Sequence, residues 1–380
     1  MRRTTPQADV TYRALFCDLL TDRVIDALPL TDVEFDDYIG KAGSLRGTVP
    51  LPDEALARRA RAALRPGRTA VWLERGSEIW WGGILWTTTA SGDERGRLQV
   101  QIQAGTFDSY LDHRILPEKK VFKNRDQFDI VRELISDVQS QRGGNIGITF
   151  TGDMSHVEYP EIEFAYTDLM RVQEIIDNLG KRRNGFEWRI HCFRDPGTGR
   201  RVKRLQLGCP KIEAGREDIV LDRPGQILTY SLPSDATVQA NVVVIRGESA
   251  NRDQASASVP QLSDPQVQVA DLEEGWPRLE FTDDQSGVQD KALLDDLARA
   301  ALDRMHRPEF IPEVTIRMDD RISPALIGSR VRLRIRDGWH EEAPDRSFRV
   351  VGLSVSPPSR GKAETAKLIL EEKTYGRDSS

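Results

Sequence analysis

Cysteine is scarce: Cys17, Cys192 and Cys209 are the only three in 380 residues. An odd, widely spaced trio implies no disulfide framework and suits assembly in a reducing cytoplasm. Histidine is nearly as rare, and the five (His113, His156, His191, His306 and His340) include no HExxH and no pair at helical spacing. His191-Cys192 could meet Cys209 across a hairpin, but without a CxxC the trio reads as core or surface residues. No apolar run approaches the ~20 residues that span a membrane. The opening Met1-Arg2-Arg3-Thr4-Thr5 leads into no apolar segment, so no signal peptide is expected. There is no GxSxG nucleophile elbow. Gly143-Gly144-Asn145-Ile146-Gly147 follows a helical pattern rather than a strand, so it lacks the context of a phosphate cradle. Acidic doublets (Asp36-Asp37, Glu273-Glu274, Asp283-Asp284, Asp319-Asp320 and Glu341-Glu342) are expected among 60 acids. Adjacent acids on a strand face opposite ways, whereas a glycosidase needs two that face each other across a sugar. No catalytic residue, metal or cofactor is indicated.

What is present is a polar, mixed-sign surface around ordinary cores. Lys and Arg number 54 against 60 Asp and Glu, a formal net charge of −6. A dedicated nucleic-acid-binding domain usually has a pI above about 9, so that class is disfavoured. Charged residues are 30% and apolar residues 38% of the chain, against a globular norm of roughly 25% charged. Gly (29) and Pro (20) occur at ordinary frequency, which excludes collagen-like or wholly disordered chains.

Two local periods alternate. Residues 12–20 read as a strand with a turn at Thr21-Asp22-Arg23, and strand-and-turn texture continues through Val33, Phe35 and Gly43–Gly47. A short helix runs from Pro52 to about Leu64. Residues 69–74 and 78–88 make a hairpin, and Leu98, Val100 and Ile102 alternate with Gln99, Gln101 and Gln103 as on a half-buried strand. The period then becomes helical: Phe128, Val131, Leu134, Ile135 and Val138 share one face of a helix spanning 124–141, with Asn124 and Gln127 as a capping box. A second helix starts at Thr167 or Asp168 and buries Leu169, Val172, Ile175, Ile176 and Leu179. A hairpin of 186–193 with 202–207 follows. Strands at 227–232 and 240–247 precede an aperiodic stretch, 248–275, expected as a long surface loop. A third helix, 286–306, ends before Pro308 and Pro312, and strands resume from Val314 to Glu371. The fold class is α+β, mainly β. The expected domains are 1–116, β-barrel-like; 117–224, α+β; and 225–380, a second β-barrel-like domain carrying the loop and the third helix.

The segments Gly83–Trp86 with Leu98–Ile102, and Gly352–Val355 with Lys367–Leu370, have a similar layout. Each is a Gly-led strand, a polar tip and an alternating strand, preceded by another strand (Val71–Arg75 or Val331–Asp337). Either these are two unrelated hairpins, or they mark two related barrels flanking an α+β insert. Trp72, Trp80, Trp81 and Trp86 fall within fifteen residues and either fill a core or serve an interface. Trp80 and Trp81 are neighbours, so on a regular strand one of them leaves the core. Arg330, Arg332, Arg334 and Arg336 alternate with Val331, Leu333 and Ile335, giving a strand with one guanidinium face. A solvated face paired with neighbouring acids explains it, with a partner or nucleic-acid contact as the alternative. It lacks the interleaved aromatics of a single-strand DNA reader.

Three phrases carry a resemblance: residues 11–24 (Thr11-Tyr12-Arg13-Ala14-Leu15-Phe16-Cys17-Asp18 onward), 66–86 (Pro66-Gly67-Arg68 through Trp80-Trp81-Gly82-Gly83-Ile84-Leu85-Trp86), and 103–114 (Gln103-Ala104-Gly105-Thr106-Phe107-Asp108-Ser109-Tyr110 onward). They resemble minor tail proteins of long-tailed phages (siphophages) of actinobacteria, and through them the tail hub, or baseplate hub, family. The likeness is strongest over residues 10–190; beyond that it is order of elements. It implies a virion structural protein at the tail tip, assembled in the host cytoplasm. The implied assembly is a homotrimer adapting a six-fold tube to a three-fold tip and closing or lining the DNA channel. Implied partners are the distal tail protein ring, the tape measure protein, other minor tail proteins or a central fibre, and genomic DNA in passage. Related hubs often carry a C-terminal peptidase, lysin or receptor-binding module; this sequence stops at Ser380, so no such activity is carried over from the resemblance. Interface residues would be Trp80, Trp81, Trp86, Arg332 and Arg334. The rival reading is a carbohydrate- or receptor-binding tail module for host adsorption, with Trp80, Trp81 and Trp86 stacking on sugars. A cell-wall hydrolase, resting on carboxylates alone, is weaker.

Overall fold

The computed structural model describes residues 11–372 apart from 166, 168, 183, 216, 250–258, 286, 287, 308–311, 320, 339–344 and 360. The N-terminal leader, Asp168, Ser286, Pro308, His340 and the Glu341-Glu342 doublet therefore lie outside the described residues.

In chain order the first strands are β1 (Tyr12–Asp18), β2 (Val24–Leu28), β3 (Thr31–Tyr38) and β4 (Ser44–Leu51), followed by α1 (Glu54–Ala63). Asp53 caps α1, its carboxylate accepting from the Leu56 N–H at 2.7 Å. Next come β5 (Thr69–Arg75), β6 (Glu78–Gly92), β7 (Leu98–Thr106), a 3-10 helix (Phe107–His113) and β8 (Lys120–Asp126). The middle of the chain holds α2 (Gln127–Ser140), β9 (Ile148–Thr149), β10 (Glu158–Phe164), α3 (Val172–Gly180), β11 (Glu187–Arg194) and β12 (Arg201–Gly208). Then follow β13 (Ile219–Arg223), β14 (Ile227–Ser231), β15 (Val242–Ser249), β16 (Pro260–Leu262), β17 (Gln266–Val267), α4 (Val269–Glu273), β18 (Glu280–Asp284) and α5 (Lys291–Met305). The last strands are β19 (Glu313–Arg317), β20 (Arg330–Ile335), β21 (Asp345–Ser356) and β22 (Thr365–Glu372). The chain is mainly β, as its strand-and-turn texture implied.

Three local expectations are corrected. Asn124 is not the cap of α2: it lies within β8 at φ +46°. The cap is Asp126, which holds the N–H groups of Phe128, Ser155 and His156. α3 starts at Val172, because an Ile115–Arg171 bridge and the Val172 N–H to Arg114 carbonyl bond keep the preceding chain out of the helix. Leu169, expected in the core, is 65% exposed at φ +50°; Val172, Ile175, Ile176 and Leu179 are buried as expected. Within 248–275 the described part is no plain loop: β16 and β17 take backbone hydrogen bonds from β15, and α4 follows. Two- and three-residue strands carry too few side chains to show a period.

Thirteen strands share one sheet, in the order β14-β19-β22-β21-β3-β4-β7-β6-β5-β1-β2, with β20 joined to β21 and β13 to β20. Among the described residues no sheet closes into a barrel. The strands expected to form two separate barrels run into one another instead, because β21 pairs antiparallel with β3 over Val355–Gly352 and Phe35–Tyr38. The two segments that look alike in sequence are both three-stranded antiparallel meanders, β5–β6–β7 and β20–β21–β22.

The chain divides into two compact units. The first comprises residues 1–177, 186–230 and 313–380, and the second 178–185 and 231–312. In the second, β15 is flanked by antiparallel β16 and β17 and by parallel β18. α5, capped by Asp290, packs on it through Leu294, Ala298, Ala301 and Leu302 against Ala240, Val243 and Ile245.

Close packing in the first unit rests on Gly82 and Gly83. A Cβ at Gly83 would fall 2.1 Å from the Gly105 carbonyl oxygen and 2.4 Å from the Trp81 ring; one at Gly82 would fall 2.8 Å from the Trp72 ring and 2.9 Å from the Cys192 sulfur. Gly83→Ala is expected to cost about 1–3 kcal/mol through overpacking, read as a lower denaturation midpoint at unchanged m-value. An unchanged midpoint would refute this packing.

Candidate functional site

The tryptophan hairpin is core. Trp72, Trp80 and Trp81 are 0%, 3% and 2% exposed, so the expectation that one of the Trp80–Trp81 pair leaves the core fails. The reason is a β-bulge. Leu73 pairs with Trp81 and Glu74 with Ile79, which leaves Trp80 as the extra residue and breaks the alternation of faces. Trp80 then packs edge-on against Tyr12 at 6.2 Å and under the Arg75 guanidinium at 4.6 Å. Trp81 donates its indole N–H to the Asp36 carbonyl at 2.9 Å. Trp86 is the extra residue of a second bulge, between β6 and β7, and is half-buried. It donates to Ser109 Oγ at 2.9 Å and lies 4.4 Å from the His113 ring.

The arginine strand is β20. Val331, Leu333 and Ile335 are buried, Arg330 and Arg332 are half-buried, and Arg334 and Arg336 are exposed. Arg330 reaches Asp218 at 3.2 Å, and Arg334 stands in register with Asp222 on β13. The guanidinium face is thus set beside acids. The cysteines form no disulfide among the described residues and are not gathered: Cys192 pairs in register with Lys203, whereas Cys209 lies just past the opposite end of the hairpin, where Glu187 pairs with Gly208. Among the described residues no group of three or more His, Cys, Asp or Glu could hold a metal, and no helix is long and apolar enough to cross a membrane.

Sequence reading missed a set of ion pairs, between buried or half-buried arginines and half-buried carboxylates, that tie distant segments of the first unit together. Arg349 on β21 grips Glu187 of β11 through two bonds of 2.6 Å and reaches Glu371 of β22 at 2.5 Å. Arg75 of β5 forms two 2.9 Å bonds to Glu364, which also accepts from the Tyr12 hydroxyl. Arg189 of β11 contacts Asp37 of β3 at 3.4 Å, Gln206 at 3.0 Å and His191 Nδ1 at 2.5 Å. Arginine can only donate, so His191 Nδ1 is the acceptor and the ring is neutral. Burial, with the Arg189 and Arg204 charges, pushes the His191 pKa down to about 3. The arginines and the carboxylates they pair with lie 22 to 289 residues apart, so no spacing pattern announces them.

Asp108, at the start of the 3-10 helix, is a further buried acid of the first unit. It is buried, and Oδ1 has no hydrogen-bond partner. Burial pushes its pKa up to about 6; the Thr106 hydroxyl opposes the rise and the Asp37 charge adds to it. The folded pKa lies above the unfolded one, so this contribution is full below about pH 4 and lost as pH rises through about 6. His191 contributes with the opposite sign, losing stability as pH falls, so the comparison of wild type with Asp108→Asn isolates the carboxyl. Asp108→Asn is expected to be the more stable by about 2 kcal/mol at pH 7.5, with the difference vanishing by pH 4. A difference independent of pH would refute the assignment.

No family model and no curated protein matches this chain. Solved structures do. The 43 kDa tail protein of prophage MuSo2 from Shewanella oneidensis matches with a TM-score of 0.62 at 11% identity, over 95% of this chain and 98% of that one. A tail protein from Neisseria meningitidis matches at 0.56 and 14% identity, over 95% and 96% of the two chains. The prophage tail protein gp18 from Listeria monocytogenes matches at 0.51 and 10% identity, over 95% of each. At such identities the likeness is one of fold, and it runs through nearly the whole of both chains.

Proposed function

We propose that this chain is a structural subunit of a phage-type tail or baseplate, and more narrowly a tail-tip hub of a long-tailed actinobacteriophage. The observation that carries this reading is the near end-to-end match in fold to the 43 kDa prophage tail protein. The hub reading draws further support from the paired meanders β5–β6–β7 and β20–β21–β22. Three copies, each with two similar elements, offer six similar positions to a six-fold tube. The neighbours in such a particle are a distal tail protein ring, a tape measure protein, and further minor tail proteins or a central fibre, with DNA passing through the axis. Trp86, Arg332 and Arg334 keep surface for those contacts, whereas Trp80 and Trp81 act through the core that shapes the hairpin.

The receptor-module reading loses its basis at Trp80 and Trp81, because sugar stacking needs an open indole face and both are buried. Cryo-EM of the tail tip tests the hub reading: three-fold density for this chain, with six meanders around the axis, is expected. A six-fold ring of this chain would make it a distal tail protein instead.

A further inference from the structure

α1 turns Ala57, Ala60 and Ala63 inward and leaves arginines outside. Arg58 and Arg61 lie one turn apart on its outer face, and Arg65 follows directly after the C-cap Leu64. All three are exposed. Their neighbours Arg59 and Arg68 are engaged by Asp26 at 2.6 Å and Asp18 at 3.6 Å, but Arg58, Arg61 and Arg65 have no carboxylate partner among the described residues. Glu54 lies one turn before Arg58 on the same side of the helix, so in a chain of net charge −6 the three arginines leave this face net basic.

The long segment of the second unit is acidic: residues 231–312 hold fifteen Asp and Glu against seven Lys and Arg, while its short segment, 178–185, adds three basic residues, Lys181, Arg182 and Arg183. At the end of α4, Glu273, Glu274, Gly275 and Trp276 form an exposed turn, with Gly275 at φ +91° and the Trp276 N–H bonded to the Asp271 carbonyl at 3.0 Å. The Trp276 side chain is 45% exposed. Trp and Arg are the residue types that most often anchor protein interfaces, and an indole face attracts a guanidinium.

We propose that the two surfaces meet between copies of this chain: the Glu273-Glu274-Gly275-Trp276 turn of one copy docks on the Arg58, Arg61 and Arg65 face of the next. The indole covers a guanidinium while the two carboxylates neutralise the others. Because the two patches differ, the contact is head-to-tail, and repetition closes a ring when the rotation allows. The choice of a second copy as occupant rests on the hub reading; the contact itself is new to it.

The test is self-association of the full chain, followed by sedimentation velocity at low and high salt. Arg58→Glu with Arg61→Glu and Arg65→Glu, or Glu273→Arg with Glu274→Arg, is expected to weaken association at least tenfold without changing the melting point. Trp276→Ala should weaken it as well, and mixing the two charge-reversed chains should restore it. If the triple reversal unfolds α1, Arg58→Gln with Arg61→Gln replaces it, with the same weakening expected. Wild-type rings untouched by either reversal would overturn this contact and leave the hub reading standing, whereas a wild-type chain that never associates would overturn both. Loss of DNA binding by the triple variant, with association intact, would make the face a phosphate site and also overturn the proposal.

Discussion

Trp81→Ala is expected to remove about 3–5 kcal/mol of folding stability from the isolated chain. The ring is 2% exposed and closes over Gly83, so its deletion leaves a void that the surrounding strands cannot fill. Its indole N–H also satisfies the Asp36 carbonyl, which Trp81→Phe would leave unpaired at a further cost of about 1–3 kcal/mol. Trp80→Ala should lower the melting point by a similar amount, since Trp80 supports Tyr12 and the Arg75 guanidinium. Chemical denaturation of the monomer reads both effects. A monomer unaffected by either change would return the hairpin to the role of a surface platform.

The fate of this pair shows what was legible in the sequence. Strands from Tyr12 to Thr106 follow from alternation and turn residues, and the helical faces of α2 and α5 follow from their period. A bulge is different. Whether Trp80 is an extra residue depends on how β6 is registered against β5 and on what covers its second face. Neither fact is local to the phrase Ile79-Trp80-Trp81-Gly82-Gly83. The paired glycines were the available signal, since removing two Cβ atoms is how a strand admits a ring and a neighbouring sulfur at contact distance. The pairing of β21 with β3 was equally hidden, because more than three hundred residues separate the partners (Leu353 and Asp37, for example).

The site was legible unevenly for a related reason. The arginine alternation of β20 reads directly from its period of two, and the acids that flank it follow from pairing. Asp108, Arg189 and Arg349 are unremarkable among 114 charged residues until the fold buries them. Burial is a tertiary fact: Arg189 and Arg349 are held by partners from other segments, Asp108 is enclosed without one on Oδ1, and the sequence marks none of this.

Arg349→Met is expected to destabilise the first unit by about 2–3 kcal/mol, less than the loss of a fully buried pair, because the Glu187 and Glu371 side chains it strands are 22% and 39% exposed. The Arg349 side chain is 8% exposed. Its donors go to both Glu187 oxygens, to Glu371 Oε2 and to the Ile212 carbonyl at 2.9 Å, so none is idle. Without it, among the described residues, Glu187 retains the Ile212 N–H at 2.9 Å and Glu371 retains Lys211 at 2.6 Å. Burial opposes ionisation of Glu371, yet Arg349 and Lys211 outweigh it and hold the carboxyl below the ordinary glutamate range. That contribution is present above the ordinary range and is lost as pH falls through the lowered value. The gap between wild type and Arg349→Met should therefore be widest near neutrality and narrow in acid. Arg349→Lys separates charge from geometry: an ammonium cannot make the fork that holds Glu187 at two points, so only partial rescue is expected. Full rescue by lysine would mean that charge alone ties β11, β21 and β22 together, and that the bidentate grip contributes nothing.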